Sequence, residues 1–184
     1  MHIGLLIIQQ ENEEQDSITS ELASQIYKKQ DFVPILLTSQ QGLTHSEEAL
    51  KTEFLRKKLL EKRVMEYDIY EDNLSVDTYS QVVLANKFVE ETNPENIGVF
   101  GSERFVNIAN KIYPEYRNFI HIPTGREKYT LRDKIREKIL FYTLENSWKI
   151  KSNDIEKHEK ALRTFHPSLG VKPKKDLYYL IKNT

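Results

Sequence analysis

Four clusters of polar residues in this sequence could bind or transform a small molecule, and each follows an apolar run and precedes a helix-like one. They are Gln9-Gln10, then Thr38-Ser39 with Ser46 and Glu47 beyond, then Glu71-Asp72 leading to Ser75, Asp77 and Thr78, and lastly Gly101-Ser102-Glu103-Arg104. Handovers from buried strand to helix are where open parallel sheets bind ligands, because strand carboxyl ends meet helix N-termini whose first N–H groups lack partners. Chemistry of this kind starts with holding an anion, and Arg104 would add a full positive charge to those N–H groups. The same residue types also cap helices. Thr44 and Glu47 have the spacing of a capping box, Ser46 could cap instead, and Ser75, Asp77 and Ser102 each suit an N-cap. Capping and ligand binding therefore both remain open at each cluster.

Other chemistries have weaker footing. Thr124-Gly125-Arg126-Glu127-Lys128 offers a glycine and two cations before a helix, yet lacks the glycine spacing and the Lys-Ser/Thr ending of a phosphate-binding P-loop. The five histidines, His2, His45, His121, His158 and His166, form no compact ligand pair, so no metal site is expected. Ser39 or Ser102 could act as nucleophile with His45 or Glu47 as base, but no Gly-x-Ser-x-Gly elbow is present. No motif names a cofactor. Tyr178-Tyr179 beside Lys174, Lys175 and Lys182 is only a small version of a nucleic-acid-binding surface, and docking of these aromatics onto the body is the better reading.

The elements that must position these residues are legible from periodicity. Ile3-Gly4-Leu5-Leu6-Ile7-Ile8 is a continuous apolar run, as in a strand buried on both faces, and Ile18, Leu22 and Ile26 form the expected inward stripe of a following helix. Residues 32–37 repeat the strand signal, and Ala49, Leu50, Phe54 and Leu55 make the next helix amphipathic. Residues 64–70 alternate apolar and polar, which suits a strand nearer the sheet edge, and a clear helix runs over 77–91 until Asn93-Pro94 stops it. Residues 97–100 and 119–122 read as strands around a short helix at 105–112. From Thr130, Leu131, Ile135, Ile139 and Tyr142 mark a long amphipathic helix, residues 153–165 suggest another, and Leu177-Tyr178-Tyr179-Leu180-Ile181 reads as a strand or docking segment.

Composition limits what can be built on this frame. The chain has 184 residues, enough for one well-buried domain, and no cysteine, which excludes disulfides, thiolate catalysis and cysteine-held metal centres. A reducing cytoplasmic setting is expected, and residues 3–8 are far too short an apolar run for a membrane span. The net charge of −1 hides an asymmetry: residues 1–120 hold 12 Lys/Arg against 20 Asp/Glu, and residues 121–184 hold 15 against 8, so the halves carry −8 and +7. The basic half could attract nucleic acid or a phosphorylated ligand, but Glu127, Asp133, Glu137 and Glu145 interrupt it at spacings that favour local pairs. Pairing with the acidic body, or with that of a second subunit, is the expectation.

The order Thr38-Ser39-Gln40-Gln41-Gly42, Ser46-Glu47-Glu48-Ala49, Glu71 through Ser75-Val76-Asp77-Thr78, and Gly101-Ser102 resembles the YdcF-like (SanA/ElyC) family, a bacterial group of α/β proteins of unknown function. The resemblance covers about residues 1 to 123. Where that family carries a glycine run after the first strand, this chain has Gln9-Gln10-Glu11; Asp77 and Gln81 stand for asparagines, and Phe105 and Ile108 for a His and an Arg. The resemblance implies a divergent member with a partly rewritten polar site and a loose tie to envelope metabolism.

The reading of the sequence is a three-layer, doubly wound Rossmann-like α/β domain with a parallel sheet over residues 1–125, and a helical C-terminal extension over 126–184 packed on it or building a homodimer. Its expected function is binding of a small anionic or nucleotide-like metabolite through Gln9, Gln10, Ser39, Glu47, Asp77, Thr78, Ser102 and Arg104. The alternatives are a transferase or hydrolase acting on such a metabolite, and a noncatalytic interaction scaffold whose site has decayed. No membrane or nucleic-acid partner is expected.

Overall fold

The computed structural model describes residues 3–8, 13–30, 33–38, 51–72, 75, 78–101, 103–113, 118–124, 130–147, 149–151, 156–158 and 160–161. Strands and helices alternate: β1 (Ile3–Ile8), α1 (Glu13–Tyr27), β2 (Ile35–Thr38), α2 (Lys51–Glu61), β3 (Ile69–Asp72), α3 (Thr78–Thr92), β4 (Asn96–Phe100), α4 (Glu103–Ile112), β5 (Asn118–Ile122) and α5 (Leu131–Asn146). The five strands form one sheet in the order β3-β2-β1-β4-β5, and every pairing is parallel. Parallel neighbours need crossover connections, so each helix must lie against a sheet face. The chain winds outward through β1, β2 and β3, then returns to the other side of β1 for β4 and β5, which sends the later helices to the opposite face. This is the doubly wound, three-layer α/β architecture expected from the sequence.

Two apolar clusters flank the sheet and record that winding. Ala23, Leu55 and Leu59 from α1 and α2 meet Leu5, Ile35, Leu37 and Phe100 on one face. Val82, Phe88, Phe105 and Ile108 from α3 and α4 meet Leu36, Tyr70, Ile97, Val99 and Phe119 on the other. Along β2 the side chains of Ile35, Leu36 and Leu37 alternate between the clusters, as a strand covered on both faces requires. β3 sits at an edge, as its alternating pattern suggested, although it begins only at Ile69 because Glu66–Asp68 form a 3-10 turn. The helix expected over 77–91 is α3, and Asn93 takes a positive φ of 45° to end it before Pro94.

Two helices dock differently from the expectation. α1 does not turn Ile18 inward: that residue is 44% exposed, and Thr19, Ser20, Ala23 and Ser24 lie buried instead. Small side chains let the helix approach closely, and the Ser20 and Ser24 hydroxyls donate to the Asp16 and Glu21 carbonyls, so those two stay paired on burial, whereas the Thr19 hydroxyl is buried without a partner. Leu22 and Ile26 pack only at the border of the cluster. α5 leaves Leu131, Ile135, Ile139 and Tyr142 facing solvent and docks through Glu137, Phe141 and Leu144. The helix is apolar on two sides. Lys111 of α4 selects one of them, pairing with Glu137 while its ammonium lies 4.7 Å from the centre of the Phe141 ring.

Beyond α5, Ile150 and Ala161 join the α3–α4 cluster, and residues 156–158 and 160–161 are helical. His158 is fully buried there. Its Nδ1 lies 2.9 Å from the Tyr79 hydroxyl of α3, and its Nε2 donates to the Lys151 carbonyl at 3.2 Å, so this histidine anchors the segment to α3. The segment 177–181 lies outside the described residues, as does most of the helix expected at 153–165. Among the described residues no helix is long and apolar enough to cross a membrane.

On the other face, Tyr27 of α1 donates to Asp68 Oδ2 at 2.5 Å and accepts from the Met65 N–H at 3.3 Å, tying the helix to the approach to β3. Burial, reinforced by the hydrogen bond to Asp68, pushes the phenol up to about 12. The folded state thus prefers the neutral phenol, and its contribution is complete below the unfolded value of about 10 and disappears as pH rises through the folded one. Urea denaturation between pH 10 and 12 should show wild type losing stability more steeply than Tyr27→Phe. Equal slopes would contradict this role.

Candidate functional site

The carboxyl ends of β2 and β3 carry a buried polar network. Thr38 and Asp72 are the last residues of their strands and are register partners, so their side chains lie side by side on the same sheet face. The Thr38 hydroxyl donates to Asp72 Oδ2 at 2.8 Å. Ser75 reaches back to the same carboxylate, with its N–H donating to Oδ1 at 3.1 Å and its hydroxyl to Oδ2. From the first turn of α3, Gln81 Nε2 donates to Thr38 Oγ1 at 3.2 Å. All four residues are buried. A buried carboxylate receiving three hydrogen bonds is well compensated, and each bond to a charged group is stronger than a neutral one.

Strand alternation separates Asp72 from its neighbour in sequence. Glu71 points to the other face, where it accepts from the Thr52 hydroxyl of α2 at 2.9 Å and lies 3.8 Å from Arg56 Nε; Arg56 also pairs with Glu66. That carboxylate is part of the packing between α2 and β3. Asp72 belongs to the rim where α3 begins.

The second half of the rim lies across β1, at the end of β4. Gly101 follows that strand with φ of 109°, a conformation that a side chain would strain, and its carbonyl accepts from His121 Nε2 of β5 at 2.7 Å. This turn delivers the chain into α4, whose second residue is Arg104. The Arg104 Nε is buried and has no hydrogen-bond partner. Gln81 Oε1, at the end of β2, is likewise buried and unpartnered. One is an obligate donor and the other an acceptor. They sit in the first turns of α3 and α4, which pack on the same sheet face.

Of the residues chosen from the sequence as ligand-binding, Thr78 and Arg104 occupy the first turns of these two helices, Thr78 buried and Arg104 partly so. Gln9, Gln10, Ser39, Glu47, Asp77 and Ser102 lie outside the described residues, as do His45, Ser46 and the segment 125–129. Thr38, Asp72 and Ser75 fall in the polar clusters marked from the sequence, but neither they nor Gln81 were among the residues expected to bind the ligand. The usable signal was positional: Thr38 and Asp72 close parallel strands, and Gln81 lies three residues into a helix whose first turn was already implicated. No group of three or more His, Asp or Glu side chains among the described residues is arranged to hold a metal ion.

No family model matches this sequence, and no curated protein matches it either. Among solved structures, it is similar to the glycotransferase of kitacinnamycin, at 12% identity and a TM-score of 0.35 over 98% of this chain, which spans 44% of that protein's length. A mutant of the T5 5'-exonuclease is similar at 12% identity and a TM-score of 0.37, over 97% of this chain and 81% of that one. Likenesses this remote carry no argument about the site, which rests on its own geometry.

If Asp72 organises the rim, Asp72→Ala strands three donors, and Thr38→Val removes two bonds of the same network. Urea denaturation should give losses of about 3 kcal/mol for the first and roughly 1–2 kcal/mol for the second. A loss below about 1 kcal/mol for Asp72→Ala would contradict the role assigned to it.

Proposed function

We propose that this chain is a divergent YdcF-like protein that binds a small anionic or nucleotide-like metabolite at the carboxyl ends of its strands, in a cytoplasmic setting. The observation that supports the reading is Arg104. A guanidinium is charged at every physiological pH, carries only donors, and its Nε is buried here without an acceptor. An anionic oxygen would satisfy it. The place is favourable as well, because Arg104 opens α4 directly after β4, at the carboxyl ends of β1 and β4, the paired strands where the order of the sheet reverses. The first N–H groups of α4 and the positive end of its dipole act in the same direction as the guanidinium.

Binding is favoured over catalysis by the state of the other rim groups. Asp72 is held by three donors, and His121 Nε2 is committed to a backbone carbonyl, so both serve the frame of the site in this arrangement. A transferase or hydrolase would use such groups as acid or base.

A thermal-shift titration with inorganic phosphate and sugar phosphates tests the reading. Ligand at 100 times its Kd should stabilise the folded chain by about 2.7 kcal/mol, which for a protein of this size raises Tm by several degrees. Arg104→Ala should abolish that rise while leaving the unliganded Tm unchanged or slightly higher, since the unpaired donor is gone. A rise of equal size in the variant, or none in wild type, would contradict anion binding at this position.

A further inference from the structure

The geometry points to a ligand with two recognition ends: we infer that the molecule bound here is a phosphorylated sugar, free or within a nucleotide, with Gln81 accepting a hydrogen bond from one of its hydroxyls. This rests on the anion-binding reading of Arg104 and adds a second contact to it. Gln81 is 1% exposed, and its amide is oriented by the network around it. The Thr38 hydroxyl gives its proton to Asp72, so toward Gln81 it can only accept, and Nε2 must be the end that faces it. Turning the amide over would set two acceptors against each other. Oε1 is therefore the end of the amide turned away from Thr38, and it lacks a donor.

The two unsatisfied atoms are complementary in kind and belong to the first turns of two helices on one sheet face. Gln81 is anchored at the end of β2 and Arg104 follows β4, with β1 between them. Two strand spacings place those ends about 10 Å apart. A molecule that meets both needs an anionic group at one end and a hydrogen-bond donor at the other, and a sugar phosphate has that form. An acceptor built to receive a hydroxyl discriminates strongly against an analogue lacking it, because the buried carbonyl is then left unpaired in the complex.

Isothermal titration of the full chain with ribose 5-phosphate, pentyl phosphate and inorganic phosphate reads the two ends separately. Wild type should bind ribose 5-phosphate at least about 10-fold more tightly than pentyl phosphate, which has similar length and no hydroxyls. Gln81→Met keeps the length of the side chain and removes the acceptor; it should erase that preference while inorganic phosphate binds as it does to wild type. Arg104→Ala should weaken all three. Equal affinities of wild type for ribose 5-phosphate and pentyl phosphate would overturn the assignment of Gln81 and leave the anion site standing. Absence of binding by any of the three would overturn the anion site itself, and this inference with it. The comparison within wild type needs no variant, so it holds even if Gln81→Met fails to fold.

Discussion

The constraint on which the rest of this structure depends is the parallel pairing of β1 with both β2 and β4. A strand hydrogen-bonded in parallel on both edges cannot be joined to its neighbours by hairpins, so each connection must cross a face and return as a helix. All five strands then end along one rim, and the helices after β3 and β4 start there on the same face. Thr38 and Asp72 come together because their strands end in register. Arg104 stands beyond β1 from them because the chain reverses direction after β3. None of these residues is near the others in sequence, and no local motif would have assembled them.

The chain meets this constraint with two layers of different character. The α3–α4 face is packed by large side chains such as Phe88 and Phe105, whereas α1 buries serines, threonine and alanine against its face. Among the described residues, α5 and the segment after it are held to the first of these by Phe141, Leu144, Ile150 and Ala161, by buried His158, and by the ion pair between Lys111 and Glu137. That pair runs from Lys111 in the acidic half of the chain to Glu137 in the basic half, opposite to the sense suggested by the charges of −8 and +7. The buried contact between α4 and α5 is therefore set by individual geometry, and Arg132, Lys134, Arg136 and Lys138 of α5 are exposed.

How much of this was legible in the sequence follows from what each residue reports. The apolar run of β1 needs burial on both faces, and the interrupted pattern of β3 belongs at an edge, so strand positions could be read. Ile18 misled because periodicity marks where apolar residues lie, not which face a helix docks, and α1 docks through small residues. α5 carries apolar residues on two sides, and the side that docks is the one bearing Glu137 and Phe141, which meet Lys111 of another helix. At the rim, the position of Thr78 and Arg104 in the first turns of helices was legible because each follows a strand signal. Thr38, Asp72 and Gln81 were not, since their meaning depends on the register between β2 and β3 and on the turn of α3.

Ligand binding at the rim formed by the strand carboxyl ends is open to direct test. An amide-resolved NMR titration of the isotopically labelled chain with ribose 5-phosphate tests it most directly. The account predicts that the largest shifts fall on amides in the first turns of α3 and α4, around Thr78–Gln81 and Glu103–Phe105, with α5 unmoved. Shifts confined to the basic face of α5, or to the opposite ends of the strands, would contradict it.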